Sequence, residues 1–288
     1  MLQLYSEWAV VRLQAPNVPT KVCPLCGEAP LYDEFTGFYF CNHCDQVIQW
    51  MPDSYTLIAS GPAGSGKTPA FHAWSDFYLR NGRPVVLLAF DDFPSNIRAS
   101  FAGYYHDKLP EYEKTGLATL VDCYSSIAGV SSQERYALKN RADLNELSLL
   151  ISDLLNEKSK LGKTKIILDS ATPLFTYKDP QLVVQFLAAT AAKIKAKDSV
   201  LAVSLTSGTV DDETFRRLET LMDCSLEMRF VEEEGRKKRQ LRFVKARGRR
   251  VYEEWLPIYI GTKTVSIDVG EDPAKYERLK KALYAKPS

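Results

Sequence analysis

The chain lacks a strong net charge. Its 37 Lys and Arg are balanced by 36 Asp and Glu, so charge as a whole points to no particular partner. No stretch approaches the roughly 18 consecutive apolar residues that a membrane-spanning helix requires. The opening segment, MLQLYSEWAVVRLQ, has no basic head and carries Glu7 and Arg12, which does not read as a secretory leader. Internal repeats and low-complexity tracts are absent. So is the low hydrophobicity of a disordered chain, because 45% of residues are hydrophobic. These absences leave an ordinary globular protein, expected in the cytoplasm and off the membrane. A length of 288 residues fits a small domain, expected over residues 1–52, and a large one over 53–288.

Histidine numbers only three. His72 and His106 lie in helical stretches without partners at metal spacing and receive no role. His43 sits inside a cysteine pair and is surplus to it. Four of the six cysteines, Cys23, Cys26, Cys41 and Cys44, form two CxxC pairs separated by 14 residues. In a compartment that keeps thiols reduced, such a double pair reads as a metal site. Four thiolates suit tetrahedral Zn²⁺ and leave no open position, so the expected site is structural. The segment between the pairs, LYDEFTGFYF, carries aromatic residues on either side of a Thr-Gly turn, a hairpin signal. Two knuckles joined by a hairpin describe a zinc ribbon. Its aromatic residues either stack on bases or pack a ribbon that has little other core. Cys123 and Cys224 stand alone and read as small buried hydrophobes.

From Ser54 onward, apolar runs at 55–59, 85–90, 118–121, 166–168 and 200–205 alternate with amphipathic stretches, clearest at 143–160 and 180–197. Alternating strand and helix imply a largely parallel sheet wrapped by helices. After about residue 223 the pattern becomes strands only, at 225–231, 239–245, 255–260 and 264–269, which predicts an antiparallel extension. A charged helix over 271–286 closes the chain.

The sharpest signal is Gly61-Pro62-Ala63-Gly64-Ser65-Gly66-Lys67-Thr68, which matches GxxxxGK[ST] directly after the apolar run YTLIAS. The glycines let backbone N–H groups converge on phosphate oxygens. The helix that follows points its positive dipole end at the anion. Lys67 is expected to reach the β and γ phosphates of ATP, and the Thr68 hydroxyl to ligate Mg²⁺. Asp169 ends the apolar strand of KTKIILDS and is expected to hold the same Mg²⁺. Asp91 and Asp92 follow the strand PVVLLAF. Asp91 is the candidate for polarising the attacking water, and Asp92 for capping a helix that begins near Pro94. Ser207 closes the strand SVLAVSL and is read either as a turn residue or as a γ-phosphate sensor.

With these residues in place the chain resembles a RecA-superfamily P-loop ATPase, and within it the KaiC-like branch common in archaea. The resemblance covers roughly residues 54–270 and rests on GPAGSGKT, LLAFDDFPSNIRASFAGYY, IILDSATPLF and LRFVKARGRRV. It implies a RecA-like core, ATP and Mg²⁺ as ligands, and a homo-oligomeric ring, such as a hexamer. In that branch a pair of glutamates usually stands where this chain has Asp91 and Asp92, each one methylene shorter, which implies slow hydrolysis. It also implies that a K-x-R-G motif, here Lys245, Arg247 and Gly248, reaches a neighbour's γ phosphate as trans-acting fingers. The alternative is a solvated hairpin with EEEGRKKR as its exposed tip, in which residues 236–239 are either solvated or a nucleic-acid contact. Three functional readings follow: a nucleotide-gated oligomeric switch with slow turnover, a DNA-repair accessory ATPase, and a non-hydrolysing scaffold that binds other proteins.

Overall fold

The computed structural model describes residues 31–33, 38–41, 46–47, 54–80, 82–105, 108–233, 235–247, 255–260 and 265–267. The first of these form a small antiparallel sheet. β1 (Leu31–Asp33) pairs with β2 (Phe38–Cys41) in the register Leu31↔Phe40, and β2 pairs with β3 (Gln46–Val47). The hairpin expected between the two cysteine pairs is therefore present. Cys23, Cys26 and Cys44 lie outside the described residues, as do His43, His106 and the closing helix, and only the backbone of Cys41 is described.

The remainder is built on β4 (Tyr55–Gly61), whose seven positions are all buried. After it come α1 (Lys67–Arg80), β5 (Val85–Ala89), α2 (Pro94–Tyr105), α3 (Leu109–Lys114), β6 (Ala118–Asp122) and α4 (Tyr124–Ala128). Next are α5 (Leu144–Lys158), β7 (Lys165–Asp169), α6 (Thr172–Tyr177), α7 (Pro180–Ala196), β8 (Val200–Thr206) and α8 (Asp212–Leu221). β9 (Cys224–Glu233), β10 (Arg236–Ala246), β11 (Leu256–Ile260) and β12 (Val265–Ile267) complete the order. Among the described residues these strands form a nine-stranded sheet, β12-β11-β10-β9-β4-β8-β7-β5-β6. The pairings from β9 through β6 are parallel, and those from β9 out to β12 are antiparallel.

Strand alternation splits the core in two. Leu57, Leu87, Ile167, Leu226 and Met228 meet Phe71, Trp74 and Tyr78 of α1 and Phe101 of α2 on one face. Ile58, Leu88, Leu168 and Val203 meet Leu147 and Ile151 of α5, Val183 and Leu187 of α7 and Leu218 of α8 on the other. Each fully buried aliphatic side chain contributes about 1.5–3 kcal/mol, which is why the continuous apolar runs become interior strands. Asp143, Asp179 and Asp211 cap α5, α7 and α8 by accepting from first-turn amides. Cys123 and Cys224 are free and buried, as expected; Cys123 stands between β6 and α4, where Asp122 accepts from the Ser125 amide at 2.9 Å.

One polar node ties this core to the C-terminal strands. Asp223 accepts from the Thr56 hydroxyl at 2.8 Å and from Lys195 Nζ at 2.7 Å, and its backbone accepts the Arg247 N–H at 2.7 Å. Burial opposes ionisation here, but the Lys195 and Thr56 hydrogen bonds prevail and hold the carboxyl below its ordinary range.

Candidate functional site

The loop that leaves β4 turns back on itself before α1. The Ser65 amide donates to Pro62 O at 3.1 Å, and the Ala70 amide to Gly66 O at 3.0 Å. Two glycines are required, Gly61 by space and Gly66 by its backbone conformation. A Cβ on Gly61 would stand 2.4 Å from Met228 O, and Gly66, at φ +106°, would meet Ile260 Cδ1 at 2.8 Å. Lys67 is buried, and its Nζ donates to Gly61 O at 2.7 Å and to Pro62 O at 3.0 Å. The ammonium is thus folded over the cradle it belongs to. Burial lowers its pKa, while Asp169 and Asp91 pull it back up. The buried Ser65 hydroxyl has no hydrogen-bond partner among the described residues. An open turn of amides, a clustered ammonium and an unsatisfied hydroxyl are what a phosphate tail would complete, so the residues fit a triphosphate.

Asp169, at the end of β7, accepts from the Ser204 hydroxyl of β8 and from Thr68. Part of its surface stays open to the cleft, yet burial still raises its pKa, against the Ser204 and Thr68 hydrogen bonds and the charge of Lys67. Thr68 and Asp169 therefore stand together as oxygen donors of the kind Mg²⁺ takes. Asp91 lies at the mouth of the same cleft. Its pKa is also raised, mainly by burial, against hydrogen bonds from Ser170. Asp92 Oδ1 instead accepts from the Phe93 amide at 2.8 Å and from Asn96 Nδ2 at 2.6 Å, at the start of α2. The two neighbouring aspartates are thereby separated, one facing the cleft and one serving the helix.

A carboxyl with a raised folded pKa costs stability as pH rises past its unfolded value, because the folded state resists ionisation. Asp169→Asn removes that cost. We expect its melting temperature at pH 7 to rise by about 2–4 °C, the shift about 1 kcal/mol produces in a domain of this size. A calorimetric scan showing a fall would mean that the Thr68 and Ser204 hydrogen bonds outweigh the burial of charge.

The C-terminal strands close over the loop. Arg239 Nε donates to Gly64 O at 3.1 Å, and its guanidinium lies 5.4 Å from the Phe230 ring centre. Arg239, expected in the exposed hairpin tip, is half-buried, whereas Arg236, Lys237 and Lys238 are exposed; the usable signal for Arg239 was its alternation with the buried Leu241. Lys245 and Arg247 lie elsewhere. Lys245 Nζ donates to Glu219 O at 2.5 Å, Met222 O at 2.9 Å and Thr220 O at 3.2 Å, holding the C-terminal end of α8. Arg247 Nη2 reaches the same Thr220 O at 3.1 Å, and its Nη1 lies 3.3 Å from Asp223 Oδ1. Arg247 pairs at the level of Asp223 and Thr56, five residues before Gly61. At about 3.3 Å per residue that is some 16 Å along the strand, farther than an arginine reaches. Within one chain, then, neither finger approaches its own phosphate loop. Ser207 joins β8 to the loop through its amide, which donates to Gly61 O at 3.0 Å. Among the described residues no cluster of three or more His, Cys, Asp or Glu is arranged to hold a metal ion; the side chains of Cys23, Cys26, Cys41 and Cys44, the expected zinc ligands, lie outside the described residues.

Comparison with known proteins gives a consistent picture. The family described as "ATPase: KaiC" matches residues 42–272. A UPF0273 protein of Methanopyrus kandleri is 28% identical over 133 residues, 46% of this chain and 51% of its own length. A UPF0273 protein of Aeropyrum pernix is 30% identical over 135 residues, 46% of this chain and 53% of its own. The chain spans about half the length of these curated relatives. Among solved structures, a KaiC-like protein of Pyrococcus horikoshii superposes with a TM-score of 0.57 at 14% identity, covering 76% of this chain and 91% of that one. At that identity the likeness is one of fold.

Proposed function

Since the chain belongs to the KaiC family of ATPases, we propose that it binds ATP with Mg²⁺ on the 61–68 loop, hydrolyses it slowly, and uses the bound nucleotide to govern assembly with further copies of itself. The observation that carries the reading is the convergence of Lys67, Thr68, Asp169 and Asp91 on one cleft, with Arg247 held too far away to serve its own loop.

The residues divide the work. Lys67 exchanges the Gly61 and Pro62 carbonyls for phosphate oxygens and so shapes the loop around its ligand. Thr68 and Asp169 would hold Mg²⁺, which would supply charge neutralisation on the phosphates. Asp91 orients the attacking water and takes its proton, for which a raised pKa is suited. Arg247, released from Asp223, offers its charge to the phosphates of an adjacent copy. Mass by light scattering, with and without Mg-ATP, tests the switch. The expected result is a larger, defined assembly with nucleotide, and an unchanged mass would end the gating proposal.

A DNA-binding role is the second reading. The observation favouring it is a basic surface on β9–β10: Arg236, Lys237 and Lys238 are exposed, and Trp255 lies beside the guanidinia of Arg229, at 3.8 Å, and Arg242, at 4.6 Å. Single-stranded DNA that stimulates turnover, with binding that weakens steeply in salt, would decide for it. Tight ATP binding without turnover would decide for a scaffold that binds other proteins. The β1–β2 hairpin supports the ribbon proposal, with Cys23, Cys26, Cys41 and Cys44 on Zn²⁺. Elemental analysis is expected to give one zinc per chain, lost on Cys41→Ser, and a metal-free native protein would refute it.

A further inference from the structure

Behind the mouth of the cleft lies a cavity of about 120 Å³, space for several water molecules. Thr68, Asp91 and Asp169 line it on the side of the phosphate loop, and His72, Asn96 and Ser100 line it on the side of α1 and α2. His72 stands one helical turn beyond Thr68, so the two share a face of α1. Its ring is buried at 4% exposure and packs against Phe101 of α2 with centroids 4.9 Å apart. That burial lowers its pKa to about 4, which keeps the imidazole neutral at physiological pH. Beyond its contact with Phe101, the ring borders the cavity that Asp91 and Asn96 also line, so a polar side chain on a buried helix face has polar neighbours across that space.

A neutral imidazole carries one donor and one acceptor, and can therefore hold a water in a fixed orientation. Asp91 needs such support. It stands at the cavity mouth, where Ser170 hydrogen-bonds it. We propose that His72 is a positioning residue for hydrolysis, holding a cavity water against Asp91 and so fixing the direction of that carboxylate. The inference rests on the ATPase reading above. In the step it supports, the attacking water forms its O–P bond as the bond to the β,γ-bridging oxygen breaks. The water's proton passes to Asp91 and leaves through the cavity water to solvent. His72 stays neutral throughout.

The test compares wild-type full-length protein with His72→Leu and His72→Gln, measuring kcat, KM, ATP affinity by calorimetry and melting temperature. His72→Leu fills the space without a polar group. It is expected to lower kcat about tenfold, the scale of a small misalignment of a reacting group, with KM, affinity and melting temperature preserved. His72→Gln restores a donor and an acceptor and is expected to recover at least half of the lost rate. Wild-type kcat in His72→Leu overturns the inference alone. So does a glutamine variant as slow as the leucine one, or a loss of rate that tracks a loss of KM and melting temperature. Wild-type protein that binds ATP without turnover overturns the hydrolytic reading and this inference with it.

Discussion

Lys67→Ala is expected to weaken ATP binding by on the order of 10²-fold or more while the chain stays folded. The ammonium is buried and flanked by Asp169 and Asp91, so it is already partly stripped of water before any ligand arrives. Removing one partner of a desolvated charge pair costs about 2–5 kcal/mol, and each 1.4 kcal/mol is a factor of ten in affinity. Folding should tolerate the change, because the bonds lost are two to loop carbonyls at the cleft rather than contacts of the apolar core. Calorimetric titration with Mg-ATP checks it. Affinity within threefold of wild type would show that the 61–68 loop is not where the nucleotide binds.

Arg247→Ala is expected to reduce turnover by about 10³-fold, the lower end of what a transferred guanidinium contributes in phosphoryl transfer, with ATP affinity nearly unchanged. The separation of Arg247 from its own loop makes the mechanism checkable by mixing. An Arg247→Ala subunit keeps an intact cradle, and a Lys67→Ala subunit keeps an intact finger. Each variant alone should be inactive, and together they should regain turnover at the sites where one supplies what the other lacks. Continued inactivity of the mixture, with both variants folded, would mean that Arg247 serves only Asp223 and α8 in its own chain. Lys245 is bound to three carbonyls of the α8 end, so its replacement should cost stability before it costs turnover.

Much of this site was legible in the sequence because its parts are local. A strand, a glycine turn and a helix follow one another in 61–68, and backbone geometry alone brings their amides to one point. Asp169 and Asp91 were legible for a related reason: in a parallel sheet all strands point the same way, so residues that end apolar runs gather at one edge. The expected division between Asp91 and Asp92 matches the structure at Asp92, whose carboxylate serves the start of α2. His72 was hidden among apolar neighbours on α1. Its spacing of four from Thr68 was readable, but the cavity that gives the spacing meaning is closed by Asn96 and Ser100 of another helix.

What the sequence determined by itself was the set of parts: a phosphate loop with its lysine, a strand-ending acid for the metal, alternating elements for a doubly covered sheet, and strands alone after residue 223. What only the tertiary structure decided was where the cations of β10 go. Simple alternation would have put Lys245 on the face of Leu241 and Phe243. The register slips between Phe243 and Lys245, and that irregularity carries Lys245 to the side of α8, while Arg239, before the slip, stays over the phosphate loop. The reason is physical. Side-chain period is fixed by the backbone and can be read along the chain, but a bulge depends on how two strands distant in sequence fit against each other.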